Sequence, residues 1–371
     1  MDLIYLDHGA TTLLLPEVWE AMRPFHFQRS GNPASSHHAG RSARRALEDA
    51  RERIAQRLDA QPDEVLFTSG ATEANNLAIF GLAGQPPNRI VASSIEHPCV
   101  SEPVRQCAAA GFEVQWLPVT ADGLVPADAL RNVACGLACV MLANHETGAV
   151  QPVTELAASV AGRAAFHCDA AAAVGKLPVS FRRLGVTALT LSAHKFHGPK
   201  GIGALVLRRG VRLQPRLFGG HQQYGLRPGT EPVPLAVGMA TALELACAQL
   251  AERHEKVVSL RNHFLEIVRR AAPIVVNGPE DGGVPHTLNV SFPGCRADML
   301  LMTLDLAGVA CATGSACSSG SLLPSPVLKA MGVADDALRS ALRFTFSFVL
   351  TQAEVAEAAR RVVDVVTKLR R

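Results

Sequence analysis

The 371-residue chain has room for two or three domains at ~150 residues each, and its 36 basic against 33 acidic residues leave a formal charge of +3. So small a surplus excludes a broad cationic field, and with it nucleic acid or an anionic membrane as the main partner. A hydrophobic share of 48% beside 19% charged residues excludes a wholly disordered chain and supplies a large core.

Met1-Asp2-Leu3-Ile4-Tyr5-Leu6-Asp7 has no basic stretch followed by an apolar one and reads as no signal peptide. No apolar run reaches the ~18 residues of a membrane-spanning helix. The nine cysteines are scattered without a CxxC pair, which predicts a reducing, cytoplasmic setting rather than a disulfide framework. Cys135 and Cys139 read as small buried apolar residues, and no metal set is expected.

From about 62 to 210, β-rich runs at 64–68, 89–93, 113–117, 138–142, 164–168, 188–192 and 203–207 alternate with helical patterns such as 71–82 and 153–161. Several runs are apolar throughout, as strands covered on both faces are. The pattern predicts an α/β fold with a mostly parallel sheet of about seven strands. From Pro234 to about Arg270, Leu235, Met239, Leu243, Cys247 and Leu250 recur at helical spacing. Beyond lie a strand at 287–292, a helix from Ala297, a Gly/Ser-rich loop at 313–321, a strand at 342–346 and a helix from Thr351. We expect a large domain over 14–254. Residues 1–13 and 255–371 are expected to form a smaller α+β domain, carrying a loop at about 313–323, with a ligand cleft between the two.

Ligands of open α/β sheets bind at the carboxyl ends of the strands. Ser69-Gly70-Ala71-Thr72-Glu73 follows the first strand and opens a helix. Alone it reads equally as a phosphate cup or as a plain capped turn. Gly175-Lys176-Leu177 is no Walker motif, and Gly201-Ile202-Gly203 precedes a strand and so is no dinucleotide fingerprint. Arg outnumbers Lys 30 to six, so chemistry that needs an amine has few choices. Lys195 follows a strand in Ser192-Ala193-His194-Lys195. It is the best placed of the six to meet Ser69, Thr72 and Asp169, which ends the run at 164–168. A phosphate cup, a carboxylate and a lysine on one sheet edge suit pyridoxal phosphate. The lysine would form the Schiff base, and the carboxylate would hold the pyridine nitrogen protonated. His97 is placed to stack on the ring and move protons. Cys317, in the Gly/Ser loop, reads equally as a mobile thiol or an inert cysteine.

In order, the chain carries Tyr5-Leu6-Asp7, Gly31-Asn32-Pro33-Ala34-Ser35 and Phe67-Thr68-Ser69-Gly70-Ala71-Thr72-Glu73. Glu96-His97, Ser192-Ala193-His194-Lys195, Gly198-Pro199-Lys200-Gly201-Ile202-Gly203-Ala204, Arg227-Pro228-Gly229-Thr230, Gly314-Ser315-Ala316-Cys317 and Leu342-Arg343-Phe344 follow. With these segments, nearly end to end, it resembles the NifS/IscS-like cysteine desulfurases, class V aminotransferase relatives of PLP-dependent fold type I. The resemblance implies a homodimer using pyridoxal 5'-phosphate, with Lys195, His97 and Cys317 catalytic. Ala71, Thr72, Ser192 and His194 would surround the phosphate, with Thr230 arriving from the partner subunit. Asp169 would pair with the ring nitrogen, and Arg343 would bind the substrate carboxylate through its fork. L-cysteine would become L-alanine, its sulfur passing to a Cys317 persulfide. From there it would go to an acceptor protein, an iron–sulfur scaffold or another sulfur carrier.

The chain also departs from the family pattern. Asn144-His145-Glu146 stands for the usual Asn-Asn-Glu, and Asp169-Ala170-Ala171-Ala172 for Asp-Ala-x-Gln. The family Gln donates to the ring oxygen and Ala172 cannot. His145 is expected to reach into that space, beside the substrate carboxylate, and supply the donor. Thr345-Phe346-Ser347-Phe348 replaces Ser-Leu-Gly-Arg, exchanging a charge for aromatic bulk. Asp7-His8-Gly9 replaces Asp-Asn-Ala, and the sequence ends at Arg371 without the tail some members use to dock scaffold proteins. Two other readings follow: a related lyase acting on selenocysteine or another sulfur amino acid, and a degenerate paralogue without activity. The retained Lys195, Asp169, His97, Arg343 and Cys317 argue against the last.

Overall fold

The computed structural model describes residues 2–314 and 324–370. Its strands are β1 (Ile4–Tyr5), β2 (Val65–Thr68), β3 (Arg89–Ser93), β4 (Glu113–Leu117), β5 (Leu137–Cys139), β6 (Ala165–Asp169), β7 (Ala188–Ser192), β8 (Gly203–Leu207), β9 (Val275–Val276), β10 (Thr287–Ser291), β11 (Val309–Ala310) and β12 (Ala341–Thr345). Seven of them form the central sheet in the order β2-β8-β7-β6-β5-β3-β4. Only β8 in this sheet runs antiparallel to its neighbours. The carboxyl ends of the other six therefore share one edge.

The two-residue period of a strand explains why these runs are apolar throughout. Val65, Phe67, Val91, Ala138, Phe166, Cys168, Leu189 and Leu191 enter one core. The alternate residues Leu66, Ala188, Leu205, Ile90, Ala92 and Leu137 enter others on the opposite face. Helix Ala71–Leu82 lies across β6, β7 and β8 on that opposite side. It therefore starts at the edge where the strands end.

The long helical span expected from 234 to 270 is two helices, Val233–Ala248 and Leu250–Ala271, bent by 73° at Gln249. Periodicity does not register the bend because both halves keep an apolar stripe. The first half joins the sheet's core. The second joins a separate core with helices Ala297–Leu306 and Gln352–Leu369 and the antiparallel sheet β12-β10-β9. Ile4 and Leu6 are buried in this second core, and β1 pairs with β11. The N-terminal segment then crosses to the central sheet, where Thr12 N–H donates to the His194 carbonyl at 2.9 Å. No single helix among the described residues is long and apolar enough to cross a membrane.

Candidate active site

A cavity of about 520 Å³ opens at the carboxyl edge of the sheet. It is lined by Ala71, Thr72, His97, His145, Asp169, Ser192, His194 and Lys195, all expected from the sequence. Lys195 sits in a single 3-10 turn directly after β7. Its Nζ donates to the carbonyls of Gly9 at 2.6 Å and Ala10 at 3.0 Å. The Thr12 hydroxyl clamps the same turn, donating to the His194 carbonyl at 3.0 Å and accepting from His197 N–H at 2.7 Å.

Asp169 closes β6 and is buried. Asn75 Nδ2 donates to one of its oxygens at 2.8 Å, and the Ala171 N–H to the other at 2.9 Å. Asn75 is oriented in turn by His167, whose Nε2 lies 2.8 Å from its Oδ1. Burial holds His167 down to about 4, so it is neutral at pH 7. His97 caps the helix Pro98–Ala109, accepting the Cys99 N–H at Nδ1. Burial lowers its pKa, partly opposed by the Asp169 charge.

Glu96, beside it, is fully enclosed. Burial pushes its carboxyl up to about 8, against hydrogen bonds from Ser93 and the Met141 N–H. The folded protein thus keeps a proton that the unfolded chain loses, and this stabilisation fades as pH rises from about 4.5 towards 8. Glu96→Gln, which accepts the same two bonds without titrating, is expected to flatten that fall. Thermal unfolding at pH 5 and pH 8 checks it: the wild type should lose more Tm than the variant.

At the other end of the cavity, helix Ala71–Leu82 begins after Gly70 with no side-chain cap. Its first N–H groups are left for a ligand, the anion-binding arrangement of a helix N-terminus. Gly203, the first residue of β8, lets the sheet pass directly beneath. An added Cβ would stand 2.8 Å from the Gly70 backbone and 2.6 Å from the Leu191 carbonyl oxygen. His194 is held down to about 4 by burial and by Lys195, Lys200 and Lys176, and it meets Thr11 Oγ1 at 3.2 Å. Arg227 folds back on the helix start, its guanidinium pairing with Glu73 at 2.7 Å.

Three expected residues stand elsewhere. Arg343 does not line the cavity: its guanidinium donates to Asp7 at 2.9 Å and to the His145 carbonyl at 3.2 Å, and its buried Nε has no partner among the described residues. Thr230 is exposed and outside the cavity of its own chain. Cys317 lies outside the described residues. The flanks of its segment both rest on Glu146. Ser325 Oγ donates to Glu146 Oε2 at 2.5 Å, and a Cβ on Gly314 would stand 1.7 Å from that oxygen. Burial lifts the Glu146 carboxyl to about 6.

The sequence departures fall in two places. His145 and Ala172 face the same cavity. The His145 ring meets His97 edge-on at 4.9 Å, and its buried Nδ1 has no hydrogen-bond partner among the described residues. The others gather behind Lys195, in a small space lined by His8, Gly9, Phe346, Ser347 and Phe348. There Arg253 stands over the Phe348 ring at 3.9 Å. Arg253 was not legible as a site residue because it lies within a long, largely charged helix. Lys176 was missed too. It lines both spaces and is 8% exposed, although a Gly-Lys turn reads as surface.

Known proteins resemble this chain in sequence and in fold. The model of the family described as aminotransferase class-V matches residues 4–357. The cysteine desulfurase IscS of Dictyoglomus turgidum is 41% identical over 376 residues, covering 99% of this chain and 95% of the relative. A solved NifS-like protein superposes with a TM-score of 0.93 at 33% identity, covering 99% and 100% of the two chains. SspA, solved in complex with cysteine, gives 0.82 at 33% identity, covering 92% and 98%. A match of this extent in both sequence and fold places the chain in the aminotransferase class-V family.

Proposed function

We propose that this chain is a pyridoxal-phosphate-dependent cysteine desulfurase. It would convert L-cysteine to L-alanine as a cytoplasmic homodimer and hand the sulfur, through Cys317, to an acceptor protein of iron–sulfur or thio-cofactor assembly. The observation that carries the reading is the meeting, in one cavity of about 520 Å³, of the Lys195 amine, the Asp169 carboxylate and an uncapped helix start. These fit the cofactor group by group. The amine suits an aldehyde carbon, the carboxylate a protonated ring nitrogen, and the open N–H groups with Thr72, Ser192 and His194 a phosphate.

When bound, the cofactor supplies an electron sink for the pair left at Cα. The rest falls to the chain's own residues. Asn75 and the Ala171 N–H hold Asp169 in place at the cavity floor. Lys195 takes the Cα proton and returns it. The Cys317 thiolate attacks the substrate sulfur. An S–S bond forms as the C–S bond breaks, the electron pair stays on Cβ and takes up the proton that the Cys317 thiol gave up, and alanine leaves. Arg343 takes the substrate carboxylate by turning its fork from Asp7. The test is purified protein given L-cysteine, with alanine and sulfide followed together in the presence of a reductant. Equal amounts of the two are expected. Pyruvate and ammonia in their place would overturn the desulfurase reading in favour of a lyase.

His145 takes the role left by the missing glutamine. Its unbonded Nδ1 is the donor offered to the cofactor's ring oxygen where Ala172 offers none. His145→Ala is expected to move the pH midpoint of the visible absorbance of the cofactor-loaded protein up by about one unit, the worth of one hydrogen bond. An unchanged midpoint would remove His145 from that role.

A further inference from the structure

The reaction above leaves Lys176 unused. It follows Gly175, whose φ of +78° and close approach to Phe196 turn the chain inward; an added Cβ would stand 2.5 Å from the Phe196 Cβ. Lys176, only 8% exposed, lines both the main cavity and the smaller space behind it. Among the described residues it has no hydrogen-bond or ion-pair partner. The charges that act on it, Lys195 and Arg343, are both positive. The titratable groups around it are His8, His194, His197 and His286, each kept neutral mainly by burial. Arg253 adds a further cation to the rear wall. None of these stabilises an ammonium. Lys195 differs in having two carbonyl acceptors, those of Gly9 and Ala10.

Two amines that line the same spaces oppose each other's charge. We propose that Lys176 is a positioning residue for the reaction: its amine lines the same two spaces as Lys195, and its positive charge favours the unprotonated form of the Lys195 nitrogen. Burial, then the Lys195 and Arg343 charges, push Lys176 down to about 7, and such coupling belongs to the pair rather than to either member. The inference rests on the reading of Lys195 as the cofactor-bearing amine.

The experiment is a pH titration of the visible absorbance of the cofactor-loaded protein without substrate. Lys176→Met removes the neighbouring charge and is expected to raise the midpoint by one unit or more, tenfold in proton affinity. Lys176→Arg keeps the charge and should leave the midpoint at or below that of the wild type. Lys176→Gln, neutral and polar, gives the same reading as the methionine variant should that one not load cofactor. A neutral variant with the wild-type midpoint, or an arginine variant that moves upward with it, would overturn the proposal. A Lys195→Ala control separates the two readings. If it keeps the visible band, the site assignment fails. If it loses the band while the Lys176 variants stay unmoved, only the role of Lys176 fails.

Discussion

Lys195→Ala is expected to abolish the visible absorbance of the cofactor-loaded protein and to slow alanine formation by ~10³-fold or more, the combined loss of a covalent anchor and a general base. The size of the effect follows from scarcity. Of the six lysines, Lys256, Lys329 and Lys368 lie on helices of the C-terminal part of the chain, away from the cavity. Lys200 lines the cavity but is exposed. Lys176 is the serious substitute, because it is buried against the same space. What distinguishes Lys195 is its seat at the end of β7. There the ladder fixes the backbone, and the carbonyls of Gly9 and Ala10 aim the amine across the cavity from Asp169. Absorbance spectra of the two single alanine variants decide between them. A band that survives in Lys195→Ala and vanishes in Lys176→Ala would reverse the assignment.

Much of this site was legible because strands buried on both faces announce themselves. Phe166-His167-Cys168-Asp169 and Leu189-Thr190-Leu191-Ser192 read as strands, and their last residues fall at the edge where ligands bind. The limits are physical. The run at 138–142 reads as one strand, yet β5 ends at Cys139. Val140 and Leu142 still donate to the His167 and Asp169 carbonyls, but β3 has already turned away on the other side, so the ladder is one-sided. Lys176, Arg253 and His8 were illegible as a group. Their burial comes from segments far apart in the chain, meeting through the residues after β1, the Lys195 turn and the residues after β12. Local periodicity carries no trace of such a meeting. Arg343 illustrates a different limit. Its motif named the residue, but the Asp7 contact that occupies its fork comes from the opposite end of the chain.

Cys317→Ala is expected to load the cofactor with an unchanged spectrum and to lose alanine and sulfide formation together, down to background. The argument turns on what each reaction needs. Breaking a C–S bond by desulfuration leaves an electron pair on carbon and requires a nucleophile to receive the sulfur, so the S–S bond must form at a thiol. A β-elimination expels the sulfur with its electrons and needs no thiol. The same substitution is therefore decisive for one chemistry and silent for the other. Among the cysteines with a resolved shift, the alternatives are disfavoured as thiolates: Cys99, Cys139, Cys168 and Cys311 are pushed up by burial. Cys99 comes nearest, lining the cavity 3.7 Å from Asp169, whose charge opposes a thiolate there. The segment that carries Cys317 is flanked by Gly314 and Ser325, both against Glu146, which adjoins His145. Measuring alanine, sulfide and pyruvate in Cys317→Ala and Cys99→Ala in parallel checks the assignment. Desulfuration that survives the first and fails in the second would move the sulfur acceptor from the loop to the cavity wall.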